Sequence, residues 1–343
     1  MHTDTMNRVG TGSRQSGGRA RRRPAGVFRA LLVALVLVVL AAAPAVAQDT
    51  VTIAIGYIPN IQFAPLYVGM EKGFFAEEDL ELEIEYGFGV DVFSLLSLGR
   101  IDVGLSDSDQ LIVSGTNEDL SLKAIFQYYQ RYPVSVVALA SEISDPADLA
   151  GGSIGVPETY GTSYIGLQAF LEQYDLKDQV TEQRIGYTQI PSLLNDRVDA
   201  AVTFSNNEPI QLRLRGHEIV EWEVREFSDL VGASFISSDR IIDRRSGVMR
   251  RFVRALERSV AYTVENQEEA VELALPYLGD VDESQVEFQR RSLAATAELF
   301  EPPEGADYGA FDRAAYRASI RAIRDLGLID QAYGPSRILR PIE

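Results

Sequence analysis

From residue 51 onward the chain alternates short β-rich runs with helical stretches. Residues 51–57 (VTIAIGY) alternate and are rich in β-branched side chains, which predicts a strand. Residues 65–72 then read as a helix that stops at Gly73, glycine being favoured just past a helix end. A second strand is predicted over 80–86 (LELEIEY), a helix over 90–98, a short buried strand over 102–105 and another strand over 122–129. Strands separated by helical crossovers imply an α/β fold with parallel sheets.

After residues 134–140 the pattern begins again. Residues 96–105 (LSLGRIDVGL) match 193–202 (LLNDRVDAAV) at a constant offset of 97. Near that offset Gly56-Tyr57-Ile58-Pro59 recurs as Gly155-Val156-Pro157, and Tyr67-Val68-Gly69 as Tyr164-Ile165-Gly166. The period is too long for a solenoid unit, so two similar α/β lobes are predicted. The expected division is residues 48–137 plus 235–343 for lobe I and 138–234 for lobe II. The chain then crosses between lobes near 134–141 and 231–238, which makes a hinge. In the C-terminal part Val248, Phe252, Leu256, Val260 and Val264 form the i, i+4 stripe of one long helix. Residues 310–326 read as another helix, with 301–305 (EPPEG) as a loop between helices.

The N-terminal 47 residues follow a different pattern. Arg21, Arg22, Arg23 and Arg29 precede an unbroken apolar run over 30–43, followed by Pro44 and Ala45-Val46-Ala47. This is the pattern of a signal peptide, expected to be cleaved after Ala47, with an uncleaved anchor as the alternative; the run is short against the roughly 20 residues of a membrane helix. The protein is therefore expected to be exported, to the periplasm or the outer face of the cytoplasmic membrane. The whole chain holds 32 basic and 50 acidic residues, a net −18. Removing the leader's seven Arg and one Asp leaves 25 against 49, or −24. Such a surface repels nucleic acid and anionic lipid.

Catalytic patterns find little support. The chain has no cysteine and only two histidines, His2 and His217, which excludes thiolate chemistry and leaves little for zinc or acid–base work. Residues 151–155 (GGSIG) fit G-x-S-x-G, but a predicted helix precedes the serine and a strand follows it, the inverse of a nucleophile elbow. Gly87-Phe88-Gly89 lacks the third glycine of a dinucleotide fingerprint. No catalytic residue, metal or cofactor is expected.

In open α/β sheets a ligand sits beyond the carboxyl ends of the strands. Four segments end a predicted strand and begin a predicted helix: 60–64, 106–110, 157–163 and 203–208. The repeat sets 106–110 opposite 203–207 across one cleft. Asn60, Gln62, Gln110, Asn206 and Asn207 supply donors and acceptors there, Ser106, Thr162 and Ser163 hydroxyls, and Asp107, Asp109 and Glu208 strong acceptors. Phe63, Tyr129, Tyr160 and Tyr164 offer ring faces. Arg131 is expected at the handover between lobes, holding a ligand oxygen or pairing with a carboxylate. Asn, Ser and Asp also cap helices, so each of them has a structural alternative. Together the groups suit a planar, polyfunctional, neutral or cationic small molecule.

Residues 56–68 (GYIPNIQFAPLYV), 71–75 (EKGFF) and 77–80 (EEDL) resemble the opening of the ThiY/SsuA-like substrate-binding proteins of ABC importers. Residues 145–151 (DPADLAG) before 154–157 (IGVP) look like that superfamily's entry to its second lobe. Within it, the likeness is to the riboflavin-binding RibY branch, through 62–65 (QFAP), 128–133 (YYQRYP), 160–164 (YGTSY) and 207–209 (NEP). The resemblance implies a type II periplasmic-binding-protein fold, an ABC permease and ATPase as partners, and riboflavin or a related flavin as cargo. An aminopyrimidine precursor of thiamine is the alternative, with sulfonate or nitrate and a pyrimidine synthase-like enzyme further away. It makes Asn60 a ligand contact and turns the loops 160–164 and 206–208 toward ligand. The protein is expected to be a monomer.

Overall fold

The computed structural model describes residues 48–342 apart from Gly89 and residues 117–120; the expected leader over residues 1–47 lies outside them. Among the described residues ten strands form two five-stranded sheets. β1 (Asp49–Ile55), β2 (Leu80–Tyr86), β3 (Val103–Asp107), β4 (Leu122–Gln127) and β10 (Ala233–Ser238) build the first, in the order β2-β1-β3-β10-β4. β5 (Val134–Leu139), β6 (Ser153–Val156), β7 (Thr181–Arg184), β8 (Ala200–Phe204) and β9 (Ile219–Glu223) build the second, in the order β7-β6-β8-β5-β9. The two orders are the same plan written twice.

Neither sheet is purely parallel, as the alternation of strands and helices had implied. β1 runs parallel to β2 and β3, but β10 is antiparallel to β3 and β4. Likewise β6 runs parallel to β7 and β8, while β5 is antiparallel to β8 and β9. The physical reason is the path of the chain. Each sheet receives its antiparallel strand from the segment arriving out of the other sheet, so that strand enters from the opposite end. The stretches 134–141 and 231–238 thus carry β5 and β10, and sheet membership changes between Gln127 and Val134 and again between Glu223 and Ala233.

The offset of 97 is obeyed by the structure through half of each lobe. Helix Val92–Leu98 is matched by a helix beginning at Gln189, and β3 by β8 at both ends. After that the copies diverge. β3 passes directly into the helix Ser108–Ser114, whereas Ser205, Asn206 and Asn207 separate β8 from the helix Glu208–Leu214. The C-terminal helices cover the first lobe. Ser246–Glu265 buries Val248, Phe252, Leu256 and Val260, and Gly69 on the helix Ala64–Glu71 lets it approach closely, since a Cβ there would sit 2.2 Å from Ser259 Oγ. The helix expected over 310–326 runs Arg313–Asp325. Its start is set by Asp312, whose carboxylate accepts from the Ala314 and Ala315 amides at 2.7 and 3.1 Å.

The two chain crossings lie side by side. A Cβ on Gly232 would stand 2.5 Å from the Tyr129 carbonyl oxygen and 2.7 Å from that of Arg131, so only glycine allows this approach. Gln127 staples both crossings. Its Nε2 donates to the Tyr129 carbonyl at 2.7 Å and reaches the Gly232 and Ala233 carbonyls at 3.2 Å. Its Oε1 accepts from the Tyr316 hydroxyl at 2.6 Å. These groups are buried, and a polar knot of this kind is stable only because every member is paired.

A second tie spans the lobes through Asp109. Its Oδ1 accepts from Thr162 Oγ1 at 2.7 Å. The Tyr132 hydroxyl lies 2.7 Å from Asp109 Oδ2 and 2.8 Å from the Thr162 carbonyl oxygen, yet it has a single proton to give. A proton on Asp109, donated to the Tyr132 oxygen, frees the phenol to serve the carbonyl and satisfies all three groups. Burial, and the Asp107 carboxylate next to it, push the Asp109 carboxyl well above the usual range in the same sense.

This proton has a consequence for stability. An aspartate ordinarily ionises near pH ~3.9, so above that value the unfolded chain has lost a proton that folded Asp109 retains. The Asp109 contribution therefore falls as pH rises from about 4 toward neutrality, and levels off once the folded carboxyl ionises. Asp109→Asn should make denaturant-unfolding free energy decline less steeply over that window than in the parent protein. Identical slopes would show that Asp109 is not proton-linked to folding.

Candidate functional site

A cavity of about 540 Å³ lies between the two sheets, at the carboxyl ends of their parallel strands. Ile55 and Gly56 close β1 against it, Ser106 and Asp107 close β3, Pro157 follows β6 and Phe204 ends β8. The position follows from the topology, because parallel strands all deliver their following loops to one edge.

Eleven of the sequence-predicted residues meet there: Gln62, Phe63, Ser106, Asp107, Gln110, Tyr129, Tyr160, Thr162, Ser163, Asn207 and Glu208 all line the cavity. Five do not. Tyr164 packs against the hydrophobic core. Asn60 caps the short helical turn Ile61–Phe63, its Oδ1 accepting from the Gln62 amide at 3.1 Å. Asp109 is buried behind the lining in the tie to Tyr132 and Thr162. Asn206 is also buried, its Nδ2 donating to Thr296 Oγ1 at 2.9 Å and its carbonyl accepting from Ser292. Arg131 is outside the lining and pairs with Glu301 at 2.6 Å, the carboxylate alternative of the sequence reading. Capping and packing thus claim the residues that periodicity alone could not separate from contacts.

The lining is held by hydrogen bonds that fix its side chains in advance. The Tyr129 hydroxyl donates to Gln62 Oε1 at 3.1 Å, and the Tyr128 hydroxyl to the Gln62 carbonyl at 2.7 Å. The Gln62 amide is thereby oriented with its oxygen engaged. Glu208 accepts from the Phe204 amide at 3.0 Å through Oε2 and from Asn207 Nδ2 at 3.1 Å through Oε1, and Gln211 Nε2 donates to Asn207 Oδ1 at 2.9 Å. The helix Gly161–Gln173 points its first turn at the cavity through Gly161, Thr162 and Ser163. Tyr160 at its start makes no side-chain cap, which leaves amide N–H groups free for an acceptor.

Electrostatically the cavity is one-sided. Asp91, Asp107, Glu158 and Glu208 line it, and among the described residues no Lys, Arg or His does. Burial raises the carboxyls of Asp107 and Glu208 above their ordinary range, since desolvation penalises the charged form. Burial and the neighbouring Glu208 carboxylate push the Tyr57 phenol up to about 12. Neutral or cationic ligands are favoured in such a site, and one that donates hydrogen bonds has ready acceptors.

Several lining residues escaped the sequence reading, among them Tyr57, Asp91, Tyr187 and Gln189. A signal existed for one of them. Gly186-Tyr187 after β7 repeats Gly87-Phe88 after β2, the same glycine–aromatic pair at the same step of each half. The G-x-S-x-G serine takes a structural place. Ser153 opens β6, and its hydroxyl donates to Asp199 Oδ2 at 2.8 Å.

Comparisons with known proteins agree with this architecture. The chain is 32% identical over 276 residues to the riboflavin-binding protein RibY of Chloroflexus aurantiacus, covering 78% of this chain and 79% of that protein. It is 29% identical over 269 residues to the formylaminopyrimidine-binding protein of Halalkalibacterium halodurans, covering 76% and 80%. Among solved structures, the alkanesulfonate-binding protein SsuA of Xanthomonas axonopodis pv. citri bound to MOPS superposes with a TM-score of 0.67. At 14% identity over 86% of this chain and 99% of that one, this likeness speaks to the fold alone. A family model described as NMT1/THI5 like matches residues 60–270. The fold is that of the periplasmic binding proteins, and the chain belongs to the NMT1/THI5-like family.

Proposed function

We propose that this protein is the extracytoplasmic solute-binding component of an ABC importer and captures riboflavin or a closely related flavin for delivery to a permease and its ATPase. The observation that carries the reading is the chemistry of the cleft. Gln62, Gln110, Gln189 and Asn207 present amides, Tyr57, Tyr129 and Tyr187 present rings, and of the lining carboxylates Glu158 is paired with Arg184 from outside the lining while Asp107 and Glu208 face the cavity without a cation in it. Amides match the donor and acceptor edge of an isoalloxazine, rings match its faces, and carboxylates accept from the hydroxyls of a ribityl chain. The riboflavin-binding relative supports the same cargo.

A formylated aminopyrimidine is the second reading, favoured by the formylaminopyrimidine-binding relative and by the same amides. Size separates the two. A cavity of about 540 Å³ suits fused rings with a polyol tail, and a lone pyrimidine ring leaves much of it empty. A sulfonate fits worst, because no cationic side chain among the described residues meets its charge. The predicted leader places the protein outside the cytoplasmic membrane, and no helix among the described residues is long and apolar enough to cross one. Binding without turnover fits a chain in which the only serine of hydrolase pattern is tied to Asp199 at the start of a strand.

Titrating purified protein with riboflavin should quench the flavin's fluorescence, with an end point near one ligand per protein. No quenching, together with a thermal shift produced by formylaminopyrimidine, would transfer the assignment to the pyrimidine. Asn207→Ala removes a lining amide and should weaken riboflavin binding by about 1–3 kcal/mol, roughly 5- to 150-fold in Kd. A variant that melts cooperatively and binds as tightly as the parent would show that this loop does not face the ligand.

A further inference from the structure

Three aromatic rings meet across the mouth of the cleft, and they come from both lobes. Tyr57 follows β1 and Phe88 follows β2 in the first lobe, while Tyr187 follows β7 in the second. The Phe88 and Tyr187 ring centroids are 4.5 Å apart at an interplanar angle of 31°. Tyr57 stands edge-on to both, at 5.2 Å from Phe88 and 5.9 Å from Tyr187.

Phe88 and Tyr187 are equivalent positions of the duplicated plan. β2 and β7 occupy the same outer place in the two sheets; Gly87-Phe88 follow β2 directly and Gly186-Tyr187 follow β7 after Ile185, each pair preceding the helix that begins at Val92 or Gln189. Duplication therefore placed one ring on each lobe, and the two meet at a tilt of 31°. Both rings remain about half exposed, at 49% and 48%, so neither is explained as core packing. Tyr187 lines the cavity; Phe88 does not.

We propose that Phe88 and Tyr187 form an aromatic latch that holds the lobes closed, so that Phe88 sets how long a ligand is retained without touching it. Offset and edge-on rings attract beyond the area they bury, and this attraction exists only when the lobes are together. Tyr57 buttresses the pair from below and links it to the lining. Closure of the empty protein follows from the latch alone. The retention half of the proposal rests on the cleft being the ligand site described above.

The absence of cysteine from the sequence gives a direct test. Leu98→Cys on the first lobe and Leu214→Cys on the second lie at exposed helix ends and accept spin labels, whose separation reports closure in the ligand-free protein. The parent should show a short-distance population that Phe88→Ala depletes and Phe88→Tyr restores. A parent without that population, or a distribution that Phe88→Ala leaves unaltered, overturns the latch whatever the ligand. With riboflavin as probe, Phe88→Ala should speed dissociation roughly 3- to 10-fold with little change in association rate, and Phe88→Tyr should return it to the parent value. Unaltered dissociation overturns retention by Phe88. Riboflavin failing to bind the parent overturns the flavin reading alone, and the distance measurement still decides the latch.

Discussion

The structure depends on two passages of chain being packed against each other at the base of the cleft. Gly232 makes that packing possible by carrying no side chain where the Tyr129 and Arg131 carbonyls approach, and Gln127 secures it by bonding to both passages. Because β5 and β10 continue directly from these passages into interior positions of the opposite sheets, each beside an edge strand, the lobes are attached through sheet strands rather than through a loose tether. The joint is thus made of packed, hydrogen-bonded chain. It also fixes Tyr128 and Tyr129, which leave the first sheet at this point and hold Gln62 in the lining.

Duplication explains the cleft, and departure from duplication explains its chemistry. In the first half the strand runs straight into its helix, and the following carboxylate, Asp109, turns inward to a buried tie with Thr162 and Tyr132. In the second half Ser205, Asn206 and Asn207 intervene, so Asn207 and Glu208 reach the cavity while Asn206 is drawn back toward Thr296. Equivalent loops thus do unequal work. The first lines the cavity through Ser106, Asp107 and Gln110 and also ties the lobes through Asp109, whereas the second lines it through Asn207 and Glu208.

The charge of the cleft is a constraint of a different kind. Buried carboxylates without cationic partners are costly unless they are hydrogen-bonded or protonated. Glu208 is held by the Phe204 amide and by Asn207, and Asp109 by Thr162 and Tyr132. An anion entering such a cleft would add repulsion to desolvation. Neutral molecules with several hydrogen-bond donors are the ones that relieve the site.

Much of this was written in the order of residues. Alternation over 51–57 and 80–86, the helix stop at Gly73 and the restart at an offset of 97 determine paired α/β lobes, because period, propensity and repetition are local properties of a chain. The position of the cleft follows from them, since parallel strands send their loops to one edge. The chain order did not determine which polar residue of a strand-to-helix loop faces a ligand. Asn60 and Asn207 are alike as residues, yet one caps a turn and the other lines the cavity, and Arg131 is claimed by Glu301, a residue remote in sequence. Nor did it show that β5 and β10 run antiparallel, or that Phe88 meets Tyr187. Those outcomes rest on contacts between segments far apart along the chain, and only the packing of both lobes around one hinge decides them.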